Sequence, residues 1–143
     1  MKLEILSFWD FINFVPEEKS YAIRIGNGLD SSSWFRDVGP RDNWVGEGRY
    51  VFDDIWLNGK GKKTAEGILF GKELGKKILD DFEKVKEGID SVVIHCVYGR
   101  NRSPAVGIAM NEIYGWEIEG LKEKFPDYRK FVYETMIGVE KKK

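Results

Sequence analysis

Residues 91–96, SVVIHC, form a largely β-branched apolar run bounded by Gly88 and Asp90 on one side and Gly99 on the other. A run of this kind reads as a strand buried on both faces, which requires a sheet covered by helices. Directly after it, Ser103 and Pro104 suit an N-cap and a first helical turn, and AVGIAMNEIYG (105–115) is apolar nearly all round, as a central buried helix would be. Strand, tight loop and helix in this order predict an α/β fold, with a mainly parallel central sheet flanked by helices.

The remaining elements fit that frame. LEIL (3–6), YAIRI (21–25) and RYVF (49–52) read as strands, the second closed by the turn signal Gly26-Asn27-Gly28. FWDFINF (8–14) is compatible with helix or loop. Residues 29–47, rich in Ser, Gly, Asp and Trp and containing Pro40, show no sustained period and read as irregular, as does the basic glycine-rich stretch LNGKGKK (57–63). A helix is expected from about Thr64 to Glu87, because Leu74, Ile78, Phe82 and Val85 recur on one face. Gly67, Gly71 and Gly75 share one stripe of it, which suggests either close approach to a neighbour or weak first turns. WEIEGLKEKF (116–125) and DYRKFVYETMIGVE (127–140) read as two further helices, followed by a solvated lysine tail. A chain of 143 residues is the length of one domain, so 1–143 is taken as one.

Charge and cysteine usage narrow the chemistry. The net charge of −1 provides no general attraction to nucleic acid or an anionic membrane, so anion affinity has to come from a local cluster of donors. The single cysteine excludes an internal disulfide and fits a reducing compartment. Glu4 and Asp10 interrupt the apolar N-terminus as a signal-peptide core, and no uncharged run is long enough to span a bilayer, so a cytoplasmic location is expected.

The only histidine and the only cysteine stand side by side, in HCVYGRNRS (95–103). A loop between a buried strand and a helix N-terminus directs its backbone N–H groups at a common centre, and the helix dipole adds partial positive charge there. Val97, Tyr98, Gly99, Arg100, Asn101 and Arg102 would form such an oxyanion cradle. Gly99 allows the positive φ it needs, and Arg102 offers a two-pronged donor to two phosphate oxygens. At the floor lies Cys96, whose thiolate these donors favour and which is then a nucleophile. His95 is better placed to brace the loop than to act as base. Ser103 can serve as an N-cap, stabilise a departing thiolate, or both.

These residues resemble the HCxxGxxR[ST] signature of the cysteine-dependent protein tyrosine and dual-specificity phosphatases, matching at every fixed position. The segment Phe52-Asp53-Asp54-Ile55 is similar to an F-x-D-I pattern in small bacterial members. The resemblance implies attack by Cys96 on phosphorus, oxygen binding by Arg102 and the 97–102 amides, and an upstream aspartic acid as general acid and then base. Asp54 is the preferred acid and Asp53 the alternative. It implies no cofactor and no metal. The partner it implies is a phosphorylated protein or other phosphomonoester; no membrane partner is expected, and the net charge argues against nucleic acid without excluding it.

Several alternatives stay open at this level. The cradle would also serve a phosphate-reading module without catalysis, in which neither aspartate reaches the pocket. Asn101 before Arg102 is similar to the RNA 5'-phosphatase branch of the superfamily, although a dedicated RNA enzyme should carry a broader basic stripe. Arg100 is either solvated or adds charge for substrates such as phosphoinositides. Related cysteine loops serve sulfurtransferases and reductases, but one cysteine cannot resolve an intermediate as an internal disulfide. Trp34, Phe35, Arg36, Arg41 and Trp44 are candidates for a rim around the pocket, or the tryptophans for core packing.

Overall fold

The computed structural model describes residues 1–29, 31–38 and 43–141. Pro40, Arg41 and the last two lysines of the tail lie outside them. Four strands, β1 (Lys2–Leu6), β2 (Ser20–Gly26), β3 (Trp44–Val51) and β4 (Ser91–His95), form one sheet in the order β1-β4-β2-β3. Every pairing is parallel, so the sheet is the expected α/β type. Helices cover both faces: α1 (Phe8–Asn13), α2 (Ser31–Trp34), α3 (Lys72–Glu83), α4 (Arg102–Tyr114), α5 (Leu121–Lys124) and α6 (Lys130–Lys141).

Alternation along the two central strands divides the core. Ile23, Ile25, Val92 and Ile94 face a large cluster that contains Phe82 of α3, Val106 and Ala109 of α4, and Val132 and Met136 of α6. Ala22 and Val93 face the opposite side, where Phe11 of α1 covers them with Trp44 at the margin. Burying each large aliphatic or aromatic side chain contributes about 1.5–3 kcal/mol, which is why β2 and β4 tolerate no exposed position. Among the described residues, no helix is long and apolar enough to cross a membrane.

Three expectations are corrected. The helix expected from Thr64 begins at Lys72, because Gly67 is at φ 142° and Gly71 is extended. Only Gly75 is helical, so there is no glycine stripe; a Cβ on Gly67 would instead lie 3.0 Å from Cγ of Asp53 in its own loop. The helix also stops at Glu83, ahead of a short 3-10 turn at Lys86–Gly88. Next, β3 takes in 44–47, read as irregular. Its glycines obscure a strand that the fold needs: a Cβ at Gly48 would sit 2.7 Å from Cζ of Tyr50 and 2.8 Å from the Tyr21 hydroxyl. Finally, 116–125 is helical only at α5, since Gly115, Glu117 and Gly120 all take positive φ and the chain cannot continue α4 through them. Asn111 holds this turn, donating to the Ile118 carbonyl at 3.0 Å and accepting its N–H at 3.1 Å.

Candidate active site

The loop from Val97 to Asn101 leaves the carboxyl end of β4 and enters α4, where an open parallel sheet usually places its ligand. Gly99 is at φ 71°, and a Cβ there would lie 2.7 Å from both the Leu6 carbonyl carbon and the Ser7 nitrogen. The loop therefore packs backbone to backbone against the start of α1, with the Phe8 N–H donating to the Val97 carbonyl at 3.0 Å. Cys96 is 2% exposed. The Gly99 N–H reaches its Sγ at 3.3 Å, and the Ser103 hydroxyl lies 3.1 Å from the same sulfur. Ser103 is not the N-cap. That position belongs to Asn101, whose side chain makes no capping bond, and Ser103 is in the first turn with its hydroxyl directed at sulfur.

Arg102 is almost fully buried, and its Nη1 donates to Asn27 Oδ1 at 2.7 Å and to the Phe52 carbonyl at 2.8 Å. Among the described residues its Nε and Nη2, the side-on pair, have no partner. That edge is the one suited to two oxygens of a tetrahedral anion. A cavity of about 240 Å³ lies here, lined by Asn27, Trp34, Asp54, Cys96, Val97, Tyr98, Asn101 and Arg102.

His95 is fully buried beneath the loop, with Nδ1 3.1 Å from the Cys96 carbonyl. Its Nε2 accepts from Nε of Arg24 at 3.1 Å, which leaves the ring proton on Nδ1 to donate to that carbonyl. Burial, reinforced by the charges of Arg24 and Arg102, pushes the His95 pKa down to about 4. Arg24 is itself fully buried between Phe11 at 4.9 Å and Phe35 at 5.9 Å, and it is bound by Glu47 and the Arg36 carbonyl. Nothing in the strand YAIRI marks Arg24 as part of the site.

The two aspartates at the end of β3 part company. Asp53 turns away from the cavity: Oδ1 accepts the Gly28 N–H at 3.0 Å and Oδ2 the Ile68 N–H at 2.7 Å. Asp54 lines the cavity and is gripped by Arg129, whose Nε and Nη2 reach its two oxygens at 2.7 and 3.1 Å. Residues 57–63 form a small hairpin beyond it, closed by the Leu57–Lys63 bridge and by Asn58 Oδ1, which accepts the Lys60 and Lys62 N–H groups.

The rim differs from the expected one. Trp34 is at the cavity, but Phe35 packs over Gly26, Arg36 contributes its carbonyl to Arg24, and Trp44 packs on Phe11 and Phe14 away from the cavity. Arg41 is outside the described residues. In their stead Trp9 of α1, 48% exposed, packs against Trp34 and against Tyr98, which is 67% exposed. Arg100 is exposed and lines a neighbouring hollow of about 510 Å³ with Trp56, Arg129 and Lys130. Asn101 spans the two cavities and donates to the Asp127 carbonyl at 2.7 Å. Among the described residues no three His, Cys, Asp or Glu side chains converge as metal ligands would.

No family model matches the chain, and no curated protein matches it. Among solved structures it is similar to the crystal structure of Tk-PTP in the active form, with a TM-score of 0.58 at 17% identity, covering 100% of this chain and 94% of that one. The fold is therefore that of a protein tyrosine phosphatase.

Proposed function

We propose that the chain is a protein phosphatase, acting on phosphotyrosine or with dual specificity, which hydrolyses phosphomonoesters through a phosphocysteine. One observation carries this: the Gly99 N–H and the Ser103 hydroxyl converge on Sγ of Cys96 at a cavity that Arg102 and Asp54 also line. Donors on sulfur favour the thiolate, and a thiolate inside an anion cradle is a nucleophile aimed at a bound phosphoryl group.

In the first step the Sγ lone pair forms the S–P bond as the ester P–O bond breaks in line. The leaving oxygen takes a proton from the Asp54 carboxyl. In the second, the Asp54 carboxylate takes a proton from water, the water oxygen bonds to phosphorus, and the S–P bond breaks. Inorganic phosphate leaves and the electron pair returns to sulfur, where the Ser103 hydroxyl stabilises it. Arg102 and the 97–102 amides hold the equatorial oxygens throughout, where charge develops. The Asp54 carboxyl in the cavity wall favours catalysis over phosphate reading alone. His95 fixes the loop through the Cys96 carbonyl and takes no proton in either step.

The test is hydrolysis of 4-nitrophenyl phosphate with chelator present, comparing wild type, Cys96→Ser and Arg102→Lys. Turnover that survives chelator and falls more than about 10³-fold in Cys96→Ser supports the reading. Wild-type rates in either variant, or a wild type that binds vanadate without turnover, would refute it.

A further inference from the structure

Arg129, at the entry to α6, has no role in the chemistry described so far. Three contacts single it out. Its guanidinium takes both oxygens of Asp54 in a fork, and its far face covers the Trp56 ring at 4.1 Å, so it holds the acid and the acid's own loop together. Its backbone N–H donates to the Asn101 carbonyl at 2.9 Å, while the Asn101 side chain donates to the Asp127 carbonyl at 2.7 Å. The segment 127–129 is thus bonded to Asn101 of the cradle and, through one side chain, to Asp54.

The contrast with Asp53 bears on function. Backbone amides of its surrounding loops fix both oxygens of Asp53, but those of Asp54 are held by a side chain from a different element. A carboxylate offers about four lone-pair sites, and Arg129 occupies two, so one remains to carry the proton donated to the leaving oxygen and to accept from water afterwards. Such a pair, with 23% and 31% of its side chains exposed, adds little to stability. Its geometric effect is larger, because it ties the acid, and the 52–71 loop that carries it, to the cradle.

We propose that Arg129 is the positioning residue that sets Asp54 against the leaving group, a role that rests on the phosphatase reading. Proton donation matters most for poor leaving groups, so the effect should depend on the substrate. In Arg129→Gln, kcat/KM for phenyl phosphate, which reports the first step alone, is expected to fall by about tenfold or more, with kcat/KM for 4-nitrophenyl phosphate nearly unchanged and vanadate affinity retained. Arg129→Lys should restore part of the loss. In an Asp54→Asn background, Arg129→Gln should cost nothing further, since the two act as a unit. Equal losses on both substrates, no loss on either, or full additivity with Asp54→Asn would overturn this role and leave the phosphatase intact. A wild type without turnover on both esters would overturn the phosphatase reading, and this role with it.

Discussion

Nε of Arg24 on β2 donates to Nε2 of His95 on β4 at 3.1 Å, across two residues that pair in register in the parallel sheet. A protonated imidazole could not accept that bond, so the histidine of the HC pair is a neutral spacer between a buried cation and the Cys96 carbonyl. Its pKa of about 4 lies below the usual 6.5, so the unfolded chain takes up the proton first as pH falls. The associated stability is complete above about pH 6.5 and is lost as pH drops toward 4, amounting to ~3 kcal/mol. Urea unfolding at pH 7 and pH 5 should show a larger acid loss in wild type than in His95→Asn. Equal losses would contradict it.

Gly99→Ala should be severe. A Cβ at φ 71° would meet the Leu6 and Ser7 backbone at 2.7 Å, and a backbone cannot rotate away as a side chain can. The left-handed conformation and the clash together should cost about 2–4 kcal/mol. Thermal unfolding and vanadate binding should fall together; a stable variant that still binds vanadate would show that the loop relaxes.

The two aspartates should separate by phenotype. Asp53→Ala removes the carboxylate that accepts from the Gly28 and Ile68 amides, and losing these two bonds to a charged group should lower stability by about 1–3 kcal/mol. Asp54→Asn should leave unfolding nearly unchanged and lower kcat for phenyl phosphate by about 10²-fold or more. Measuring unfolding and kcat on both variants checks this, and the reverse pattern would move the acid to Asp53.

Ser103→Ala removes the hydroxyl 3.1 Å from Sγ. Loss of a charge-assisted bond to the departing thiolate should slow the second step about tenfold. Stopped-flow with 4-nitrophenyl phosphate should then show a burst of nitrophenolate before the steady state. A slower steady state without a burst would assign Ser103 to the first step or to folding.

The part of the fold legible in sequence was the part fixed by short-range chemistry. SVVIHC read as a buried strand, and Gly99 and the order strand-loop-helix led to the cradle, since β-branching and glycine conformational freedom are local properties. Most of β3 is not legible because Gly46 and Gly48 resemble loop residues until Tyr21 and Tyr50 fill the space above them. Periodicity predicts a helix longer than 72–83 because it does not register an extended Gly71. Arg24, Trp9 and Arg129 are illegible in the sequence for a different reason. Each joins the site from another element, Arg129 reaching Asp54 across 75 positions, and a contact of that range leaves no periodic or motif signal.

The central claim is that Cys96 carries the phosphoryl group. The direct measurement is acid quench of the enzyme during turnover of 4-nitrophenyl phosphate, followed by intact-mass and peptide analysis. The account predicts one added phosphoryl group, on the peptide containing Cys96 and absent in Cys96→Ser. Turnover with no adduct at Cys96, or an adduct on another residue, would contradict it.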